Sequence, residues 1–347
     1  MSFPLPPDSK ARVRKAGKAI AAKTETQEDI AIVDQWRASH GYVLNTFKIW
    51  LKRALEREGV EAEFAQRLKR RNTVIDKLCR TRPDGTSFIS DVTSMHDFAG
   101  CRLIFASIED LTKFREALHS PQTMRNINHK LRNELNKYNY IENPKLSGYR
   151  GIHDVFRHFP RPHRRGTNTS EPWHGLQVEI QYRTRVQHAW ATALEISDLV
   201  DGQRTKFDLH GGDRVEFFAV ASEILAREQE GLKRAFLEKT RDELRLRLQE
   251  LETKLGILQR LEALKQFDGF EKLGKHNVLN IVFSGKEHSL EVYRFNSPQK
   301  AVTKANELES EASSLNAVYV RADNPNQLRS AYRNYFNDPL DFVRMLK

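Results

Sequence analysis

The chain has 347 residues and a formal net charge of +11. This length is sufficient for one large domain or two ordinary domains with a buried core. Its only cysteines are Cys79 and Cys101, which are too few for a disulfide scaffold. Neither has a His or Cys neighbour at metal-ligand spacing, so a reducing compartment is the simpler expectation.

The sequence carries no signal for membrane insertion. No stretch approaches 18 apolar residues, and the N-terminal segment lacks the apolar core of a signal peptide. We therefore expect a cytoplasmic protein with no membrane partner. The positive charge favours nucleotides, phosphates or nucleic acid as partners. A merely soluble basic surface is the alternative, but clustering of the cations in 10–23 and 67–71 favours a phosphate-binding face.

The first 80 residues are predicted to be helical after a proline-rich start. Apolar residues recur every three to four positions between Val33 and Leu55, with a break near Gly41, which predicts two helices. A third helix is predicted over Phe64–Leu78. The next stretch, 83–92, is rich in turn-forming residues and predicts a link.

The segment up to about residue 200 predicts alternating strands and helices. "CRLIFAS", "GIHDVFRHF" and "GLQVEIQYRT" predict strands, "IEDLTKFREALH" predicts a helix, and 161–175 predicts a polar connection. This order predicts an α/β or α+β domain. In the last of these strands apolar and polar residues alternate. Glu179, Gln181 and Arg183 share the polar face, which either carries chemistry or is a solvated strand face.

The C-terminal part is predicted to be a helical segment followed by a small domain. From Arg214 to about Leu264 the pattern is helical, and its leucines fall near heptad spacing. A long packed helix or hairpin explains them, and a coiled-coil dimer is the alternative. The following order is strand, hairpin turn, strand, helix, strand and helix, the last over "NPNQLRSAYRNYF".

Two carboxylates stand where chemistry is expected. Asp97 lies just before one predicted strand, and Glu179 lies on another. Carboxylates from adjacent strands can hold Mg²⁺ and leave coordination positions for a polyphosphate. Between them, Lys145 offers a charge for phosphate, and Gly148 allows a turn that presents the Tyr149 ring for base stacking. Arg150 and His153 add hydrogen-bond donors.

Four motifs in this region resemble those of RelA/SpoT-type pyrophosphokinases. They are "RLKRRNTVIDKL", "DFAGCRLIF", "NPKLSGYRGIH" and "VEIQYRT", in order and at suitable separations. The resemblance implies a nucleotidyltransferase-like mixed β-sheet flanked by helices, which transfers pyrophosphate from ATP to a ribose 3′-hydroxyl with Mg²⁺ as cofactor.

The resemblance also implies roles for individual residues. Asp97 and Glu179 would bind Mg²⁺, and Glu179 would help to deprotonate the attacking hydroxyl. The ATP-binding residues would be Arg67, Lys69, Lys77 and Arg102. Tyr149 would stack on the acceptor base, and the residues lining that side of the cleft would be Lys145, His153, Gln181 and Arg183.

Some positions depart from the family pattern. Asn139 stands where an Asp is usual, and Glu195 with Ile196 stands in place of a Glu-His pair, which affects acceptor recognition. No His-Asp hydrolase signature precedes the synthetase motifs, so no degradation of the product is expected. His40 and His96 are interpreted as structural or capping residues.

The continuation beyond the helical segment resembles the CapRel-type fused toxin-antitoxin small alarmone synthetases. In that group a C-terminal pseudo-zinc-finger domain covers the ATP site through a Tyr-x-x-Tyr element, and Tyr332 and Tyr335 match it here. An amphipathic helix that buries both rings is the alternative. The resemblance implies an autoinhibited toxin that modifies the tRNA acceptor end, arrests translation in anti-phage defence, and is triggered by a phage structural protein.

These interpretations define the predicted domains and functions. The domains are a basic helical region (1–60), a synthetase core (61–212), a helical connection (213–269) and a small β-rich pseudo-zinc-finger domain (270–347). The main functional hypothesis is a toxic ATP-dependent tRNA pyrophosphokinase. The alternatives are a pyrophosphokinase that uses GDP or GTP as acceptor and makes the alarmone (p)ppGpp, and an inactive RNA-binding module.

Overall fold

The computed structural model describes residues 3–82, 85–127, 129–160, 171–200, 212–263, 276–284, 287–310, 314–321 and 340–347. They belong to two compact units. The first unit lies within Met1–Leu103, Thr112–Lys137 and His153–Gln181, and the second lies within Ile104–Leu111, Tyr138–Ile152 and Tyr182–Lys347.

The described helices are α1 (Lys10–Ala21), α2 (Gln27–Glu58), α3 (Arg71–Cys79), α4 (Ile108–His119), α5 (Pro121–Arg125), α6 (Arg185–Val200), α7 (Asp213–Gln229), α8 (Arg241–Leu255), α9 (Ile257–Ala263), α10 (Pro298–Ser310) and α11 (Leu340–Leu346). None of the helices in the described stretches is long and apolar enough to cross a lipid bilayer.

The strands are β1 (Ala62–Leu68), β2 (Ala99–Phe105), β3 (Lys130–Leu131), β4 (Ile152–Arg157), β5 (Gln177–Thr184), β6 (His276–Ser284), β7 (Glu287–Phe295) and β8 (Ser314–Arg321). They form a five-stranded mixed sheet in the order β1-β2-β5-β4-β3 and a three-stranded antiparallel sheet in the order β7-β6-β8. The predicted fold class, a mixed sheet with helices followed by a small β-rich module, is confirmed.

Helix α2 is one continuous helix of 32 residues, so the predicted break near Gly41 is wrong. It starts at a capping box formed by Thr26 and Asp29 and ends at Gly59, which adopts the left-handed conformation. The buried apolar residues continue at helical spacing on both sides of Gly41. One glycine weakens a helix by about 1 kcal/mol, which is less than the burial of such a stripe contributes.

Strand β1 occupies the start of the segment predicted as a helix over Phe64–Leu78, and that part of the prediction is wrong. Only α3 is helical there. The strand lies at the edge of the sheet beside β2, and just beyond its end the Lys69 amide donates to the Phe98 carbonyl at 2.8 Å. Pairing with a remote strand outweighs local helical periodicity.

The other predicted elements of this region, β2, α4, β4 and β5, are confirmed. Strand β5 is buried on both faces: Gln177, Glu179 and Arg183 are each less than a tenth exposed. The alternative of a solvated strand face is therefore wrong for this strand. Charged groups are rarely this buried without partners, so their contacts are informative.

The core of the second unit is formed by helices that follow β5. Helices α7 and α8 form the predicted hairpin, and Trp190 of α6 and Phe218 of α7 are buried in this core. Helix α11 packs against α6, α7 and α9, and the Phe342 ring stacks on Phe218 at a centroid distance of 6.2 Å. This C-terminal helix was not predicted.

The small β-rich module is the three-stranded sheet with α10 on one face. Val278 in the central strand pairs with Tyr293 on one side and Tyr319 on the other. Ala301 and Leu308 of α10 are buried in a cluster with Val278. The strand, strand, helix, strand order is confirmed, whereas the predicted last helix with Tyr332 and Tyr335 lies outside the described residues.

Candidate functional site

Asp97 lies in the first unit, immediately before β2, and is bound by two lysines. The Lys69 ammonium lies 2.7 Å from Asp97 Oδ2, and the Lys77 ammonium contacts both carboxylate oxygens at 3.0 and 3.1 Å. Lys69 follows the edge strand β1 and Lys77 lies in the last turn of α3. About a fifth of each of the three side chains is exposed, so this ion cluster is accessible from solvent.

The lysines keep Asp97 ionised. Burial alone would raise the pKa of Asp97, but the charges of Lys69 and Lys77 outweigh it, and the pKa lies below its ordinary value. Burial lowers the pKa of Lys69 in turn, although Asp97 opposes that shift. The cluster therefore contains a carboxylate that is charged at neutral pH and two cations suited to phosphate.

Glu179 lies on β5 in the same unit and is bound by neighbours from its own strand and from β4. His153 Nδ1 lies 3.0 Å from Glu179 Oε1, and the Gln181 amide donates to Oε2 at 2.6 Å. Burial would raise the pKa of Glu179, but the positive charge and hydrogen bond of His153 hold it far below its ordinary value. Arg102 of β2 donates to the Gln181 oxygen at 3.4 Å.

His96 is a member of this cluster that the sequence analysis interpreted as structural or capping. Its Nε2 lies 3.9 Å from Glu179 Oε1, and burial lowers its pKa. Its position directly before Asp97 is the signal that could have indicated this placement. His40, by contrast, is structural: it is buried, its Nδ1 lies 2.7 Å from the Trp36 carbonyl, and burial lowers its pKa to about 4.

The segment that carries Lys69 is anchored by helix α2. Arg37 donates to the Lys69 carbonyl at 3.3 Å. Asp34, one turn earlier, forms ion pairs with Arg37 and with Arg71 at the start of α3. The long helix thus fixes the backbone on both sides of Arg70, and with it the direction from which Lys69 approaches Asp97.

The strand that carries His153 is anchored by a buried ion cluster at the next residue. Arg115 of α4 makes two parallel hydrogen bonds to Asp154, at 2.9 and 3.0 Å, and His119 Nε2 lies 2.8 Å from the same carboxylate. Although burial would raise the pKa of Asp154, these partners lower it. The bidentate geometry fixes β4 on α4.

The donor set at Asp97 and Glu179 fits Mg²⁺. Both groups are carboxylates held in the ionised form, and the negative charge of Glu179 acts on Asp97. Oxygen ligands of this kind suit Mg²⁺, which commonly binds one or two carboxylates together with water and phosphate oxygens. In the part of the chain that the structure describes, no group of three metal-ligating side chains is present.

Three predicted site residues, Lys145, Tyr149 and Arg183, lie in the second unit beside Tyr140, which was not predicted, and we call these four residues the aromatic cradle. The Lys145 ammonium lies 4.3 Å from the centre of the Tyr140 ring and 5.3 Å from that of Tyr149. The Arg183 guanidinium lies 5.1 Å from the Tyr149 ring centre and donates two hydrogen bonds to its hydroxyl. A cation above the face of an aromatic ring is attracted to the ring, so these contacts hold the four side chains together.

Tyr149 is more buried than its predicted role as a stacking surface implies. Its side chain belongs to the hydrophobic core of the second unit, and the residue is only 5% exposed. The turn at Gly148 has the expected positive φ of +86°. The exposed Lys145 lies over this ring, so a base that stacks on the same face would displace its ammonium group. Arg150 is buried against α7 and is not available as a donor to a ligand.

The predicted site residues therefore form three groups. Two of them lie among the residues that the structure describes, and the third lies outside those residues. The first unit holds Asp97, Glu179, Lys69, Lys77, Arg102, His153 and Gln181 in the carboxylate clusters, with Arg67 exposed on β1. The second unit holds Lys145, Tyr149 and Arg183. Tyr332 and Tyr335 lie outside the described residues. The individual roles of all these residues stay predictions.

Comparison with known proteins identifies the central part of the chain. Residues 66–197 match the family model described as "Region found in RelA / SpoT proteins". This span contains every predicted site residue from Arg67 to Arg183, so the resemblance drawn from the motifs is confirmed there. The CapRel-type subgroup stays a prediction. No curated protein matches the chain.

Two solved structures are similar to part of the chain. The first is small alarmone synthetase 1 from Bacillus subtilis bound to its product pppGpp, at 21% identity and a TM-score of 0.41, covering 54% of this chain and 88% of that chain. The second is a GTP pyrophosphokinase family protein from Streptococcus pneumoniae, at 21% identity and a TM-score of 0.42, covering 61% of this chain and 96% of that chain.

Proposed function

We propose that this chain, which carries a RelA/SpoT region over residues 66–197, is an ATP-dependent pyrophosphokinase whose acceptor is the 3′ end of tRNA. The observation that carries the proposal is the pair of ionised carboxylates, Asp97 and Glu179, with two lysines on Asp97 inside that region. Phosphoryl-type transfer depends mainly on positioning and charge stabilisation, and these residues offer both.

The proposed reaction moves the β,γ-pyrophosphoryl group of ATP. The 3′-hydroxyl of the acceptor ribose gives its proton to solvent water, its oxygen attacks the β-phosphorus, the bond from that phosphorus to the α,β-bridging oxygen breaks, and AMP leaves with the bridging oxygen. Lys69 and Lys77 are placed to bind the phosphates. Asp97 and Glu179 would hold Mg²⁺, which when bound would supply positive charge to the phosphate oxygens. Because the pKa of Glu179 is strongly lowered, this carboxylate is better suited to holding a cation than to accepting the proton of the hydroxyl.

A tRNA acceptor is supported by the basic surface of α1. Its apolar residues Val13 and Ile20 are buried, and the cations Lys10, Lys15 and Lys18 are exposed. Such a row of charges binds a phosphate backbone, and a free nucleotide does not require it. The usual acidic residue of the family is replaced by Asn139, whose amide oxygen accepts from the amides of Ile141 and Glu142.

We propose further that the C-terminal part restrains this activity until a phage structural protein releases it. The support is the Tyr332 and Tyr335 pair in the sequence and the confirmed β-rich module before it. A restrained state favoured by a few kcal/mol leaves about one per cent or less of the molecules active. Replacement of both tyrosines by alanine is expected to increase toxicity in cells, with folding checked by thermal denaturation. Unchanged growth on expression of the folded variant would count against restraint.

The alternative acceptor is a guanosine nucleotide, which would make the product (p)ppGpp, and the RelA/SpoT region is equally consistent with it. Transfer of label from ATP labelled in its β and γ phosphates to GDP, GTP or bulk tRNA separates the two. We expect label on tRNA, and label only on guanosine nucleotides would overturn the tRNA proposal. The full chain with both tyrosines replaced is preferable to truncation near residue 270, which would remove Phe342 from the core.

An inactive RNA-binding module is the third candidate function. The presence of Asp97, Glu179 and Tyr149, which the reaction would require, argues against it. The decisive observation is cellular toxicity of Glu179→Gln. Toxicity equal to that of the unchanged chain, at equal protein level, would favour the binding module.

A further inference from the structure

Glu230 is a buried carboxylate outside the region that the family model matches. It follows the last residue of α7, and its side chain is only 3% exposed. It accepts hydrogen bonds from the Arg150 guanidinium, from the Thr184 hydroxyl at 2.5 Å and from the Gln187 amide at 3.0 Å. Three donors from three separate positions converge on one carboxylate.

Two of these donors directly follow residues of the aromatic cradle. Arg150 is the next residue after Tyr149, and Thr184 is the next residue after Arg183. Glu230 thus joins the backbone beside the ring to the backbone beside the cation that covers it. Charge-assisted hydrogen bonds are shorter and about twice as strong as neutral ones, which suits a fixed connection.

Helix α7 holds the other side of Tyr149 as well. Arg150 donates to the Ser222 hydroxyl at 3.0 Å, and that hydroxyl donates to the Gly148 carbonyl at 2.6 Å. A side-chain carbon on Gly148 would lie 2.7 Å from Ala219 Cα and 2.8 Å from the Phe218 carbonyl oxygen. The loop therefore lies directly on α7, in a left-handed turn that only glycine adopts readily.

We propose that Glu230 is a positioning residue for acceptor binding, which keeps Tyr149 and Arg183 at their mutual distance through Arg150 and Thr184. This inference rests on the proposed function and on the predicted stacking of the acceptor base on Tyr149. Glu230 and the residues it joins belong to the second unit, whereas the ATP-side residues Lys69 and Lys77 belong to the first, so the effect expected of Glu230 is on the acceptor.

The test is Glu230→Gln, which keeps the size of the side chain and removes its charge. We expect the KM for the acceptor, measured with whichever of tRNA, GDP or GTP accepts label, to rise about tenfold, as expected for loss of one charge-assisted hydrogen bond. The KM for ATP should change less than twofold. Equal rises in both values, or no change in either, would overturn the proposal.

The matched control is Glu228→Gln. Glu228 lies two residues earlier and pairs with Arg245 of α8, and no contact joins it to the cradle or its neighbours in the described residues. Both KM values should stay as in the unchanged enzyme. If Glu230→Gln fails to fold, Thr184→Val removes the hydrogen bond to Glu230, together with the one that Thr184 accepts from the Gln187 backbone amide, without exposing a charge. It is expected to raise the acceptor KM about threefold and leave the ATP KM unchanged.

Amide hydrogen exchange supplies a readout that does not need activity. Exchange at 148–151 and 183–187 should accelerate in Glu230→Gln and not in Glu228→Gln, because only the first loses the connection between those segments. Unchanged exchange there would refute positioning. If the unchanged enzyme labels no acceptor at all, the proposed function fails, and this measurement still decides the role of Glu230.

Discussion

Asp97 is held by two lysine ammonium groups, whereas Tyr149 is held by the packing of a hydrophobic core. The lysines are about a fifth exposed, so we expect that their contacts with Asp97 can be exchanged for phosphate and a cation without unfolding. The aromatic ring has no such freedom, since its neighbours are core side chains and a buried ion network. The carboxylate side is therefore defined by charge, and the cradle is defined by shape.

The largest expected effect is on the stability of the cradle. Replacement of Tyr149 by alanine removes a buried ring and leaves a cavity, and we expect the free energy of unfolding to fall by about 3 kcal/mol or more. Chemical denaturation measures this change. Leu146→Ala is the control, because Leu146 is exposed in the same turn and should change stability by less than about 0.5 kcal/mol. Equal losses for the two variants would contradict a packing-defined cradle.

The second effect is on catalysis at the carboxylate side. Replacement of Glu179 by glutamine removes a charge from the proposed Mg²⁺ site, and the rate of transfer should fall by about 10²-fold or more. Steady-state transfer of label from ATP measures it. Glu171→Gln is the matched control on an exposed position and should keep full activity. Near-normal rates for Glu179→Gln would remove the carboxylate pair from the mechanism.

The third effect is a loss of folding stability at low pH, which arises from two buried histidines of the first unit. Burial lowers the pKa of His40 and of His158 to about 4, from an ordinary value of 6.5. The folded state then binds fewer protons than the unfolded state, so stability decreases as pH falls through 6.5 and the loss is complete below about 4. Between pH 7 and pH 5 we expect a decrease on the order of 1 to 2 kcal/mol for each imidazole.

His158→Phe sharpens that test. Among the described residues, neither ring nitrogen of His158 has a hydrogen-bond partner, and its ring packs among aromatic side chains such as Tyr42, so phenylalanine fits chemically. Denaturation at pH 7 and pH 5 should show a smaller decrease for the variant than for the unchanged chain. An equal decrease would show that His158 is not the neutral buried group.

The smallest expected effect is on ATP affinity. Replacement of Lys77 by methionine removes one of two cations from Asp97 and leaves Lys69, so the KM for ATP should rise about tenfold. The KM for the acceptor should not change, which separates the charge-defined side from the cradle. Lys52→Met, on an exposed position of α2, is the control. A rise in the acceptor KM alone would contradict the assignment of Lys77 to ATP binding and of the aromatic cradle to acceptor binding.

Local patterns in the sequence predicted much of this fold. Alternation of apolar and polar residues predicted strand β5 correctly, and an acidic first turn predicted helix α4 correctly. In both cases the predictive pattern lies within the segment itself. Strand β1 could not be recognised, since its strand state depends on pairing with β2. Helix α2 continues through Gly41 because burial of its apolar stripe contributes more free energy than the glycine costs the helix. Helix α11 is short, and its helical state depends on packing against core residues that are remote in the sequence.

The site residues were predicted from motifs, but their surroundings were not. The sequence indicated Asp97 and Glu179 as carboxylates of one site, and it could not show that His96 would lie beside them. It indicated Tyr149 as a stacking surface and could not show that the ring is mostly buried. Glu230 follows the matched region by more than 30 residues, so no motif could connect it with Arg150.

Helix α11 has a consequence for biosynthesis. Phe342, Val343 and Leu346 fill the same core as Tyr149 and Trp190, so this core is incomplete until residue 346 has been translated and has left the ribosome. Domains generally fold as units during synthesis, N-terminal parts first. A nascent chain, or one shortened by a premature stop codon, lacks the contacts that complete the core around the cradle. Completion of this core therefore depends on synthesis of the chain as far as residue 346.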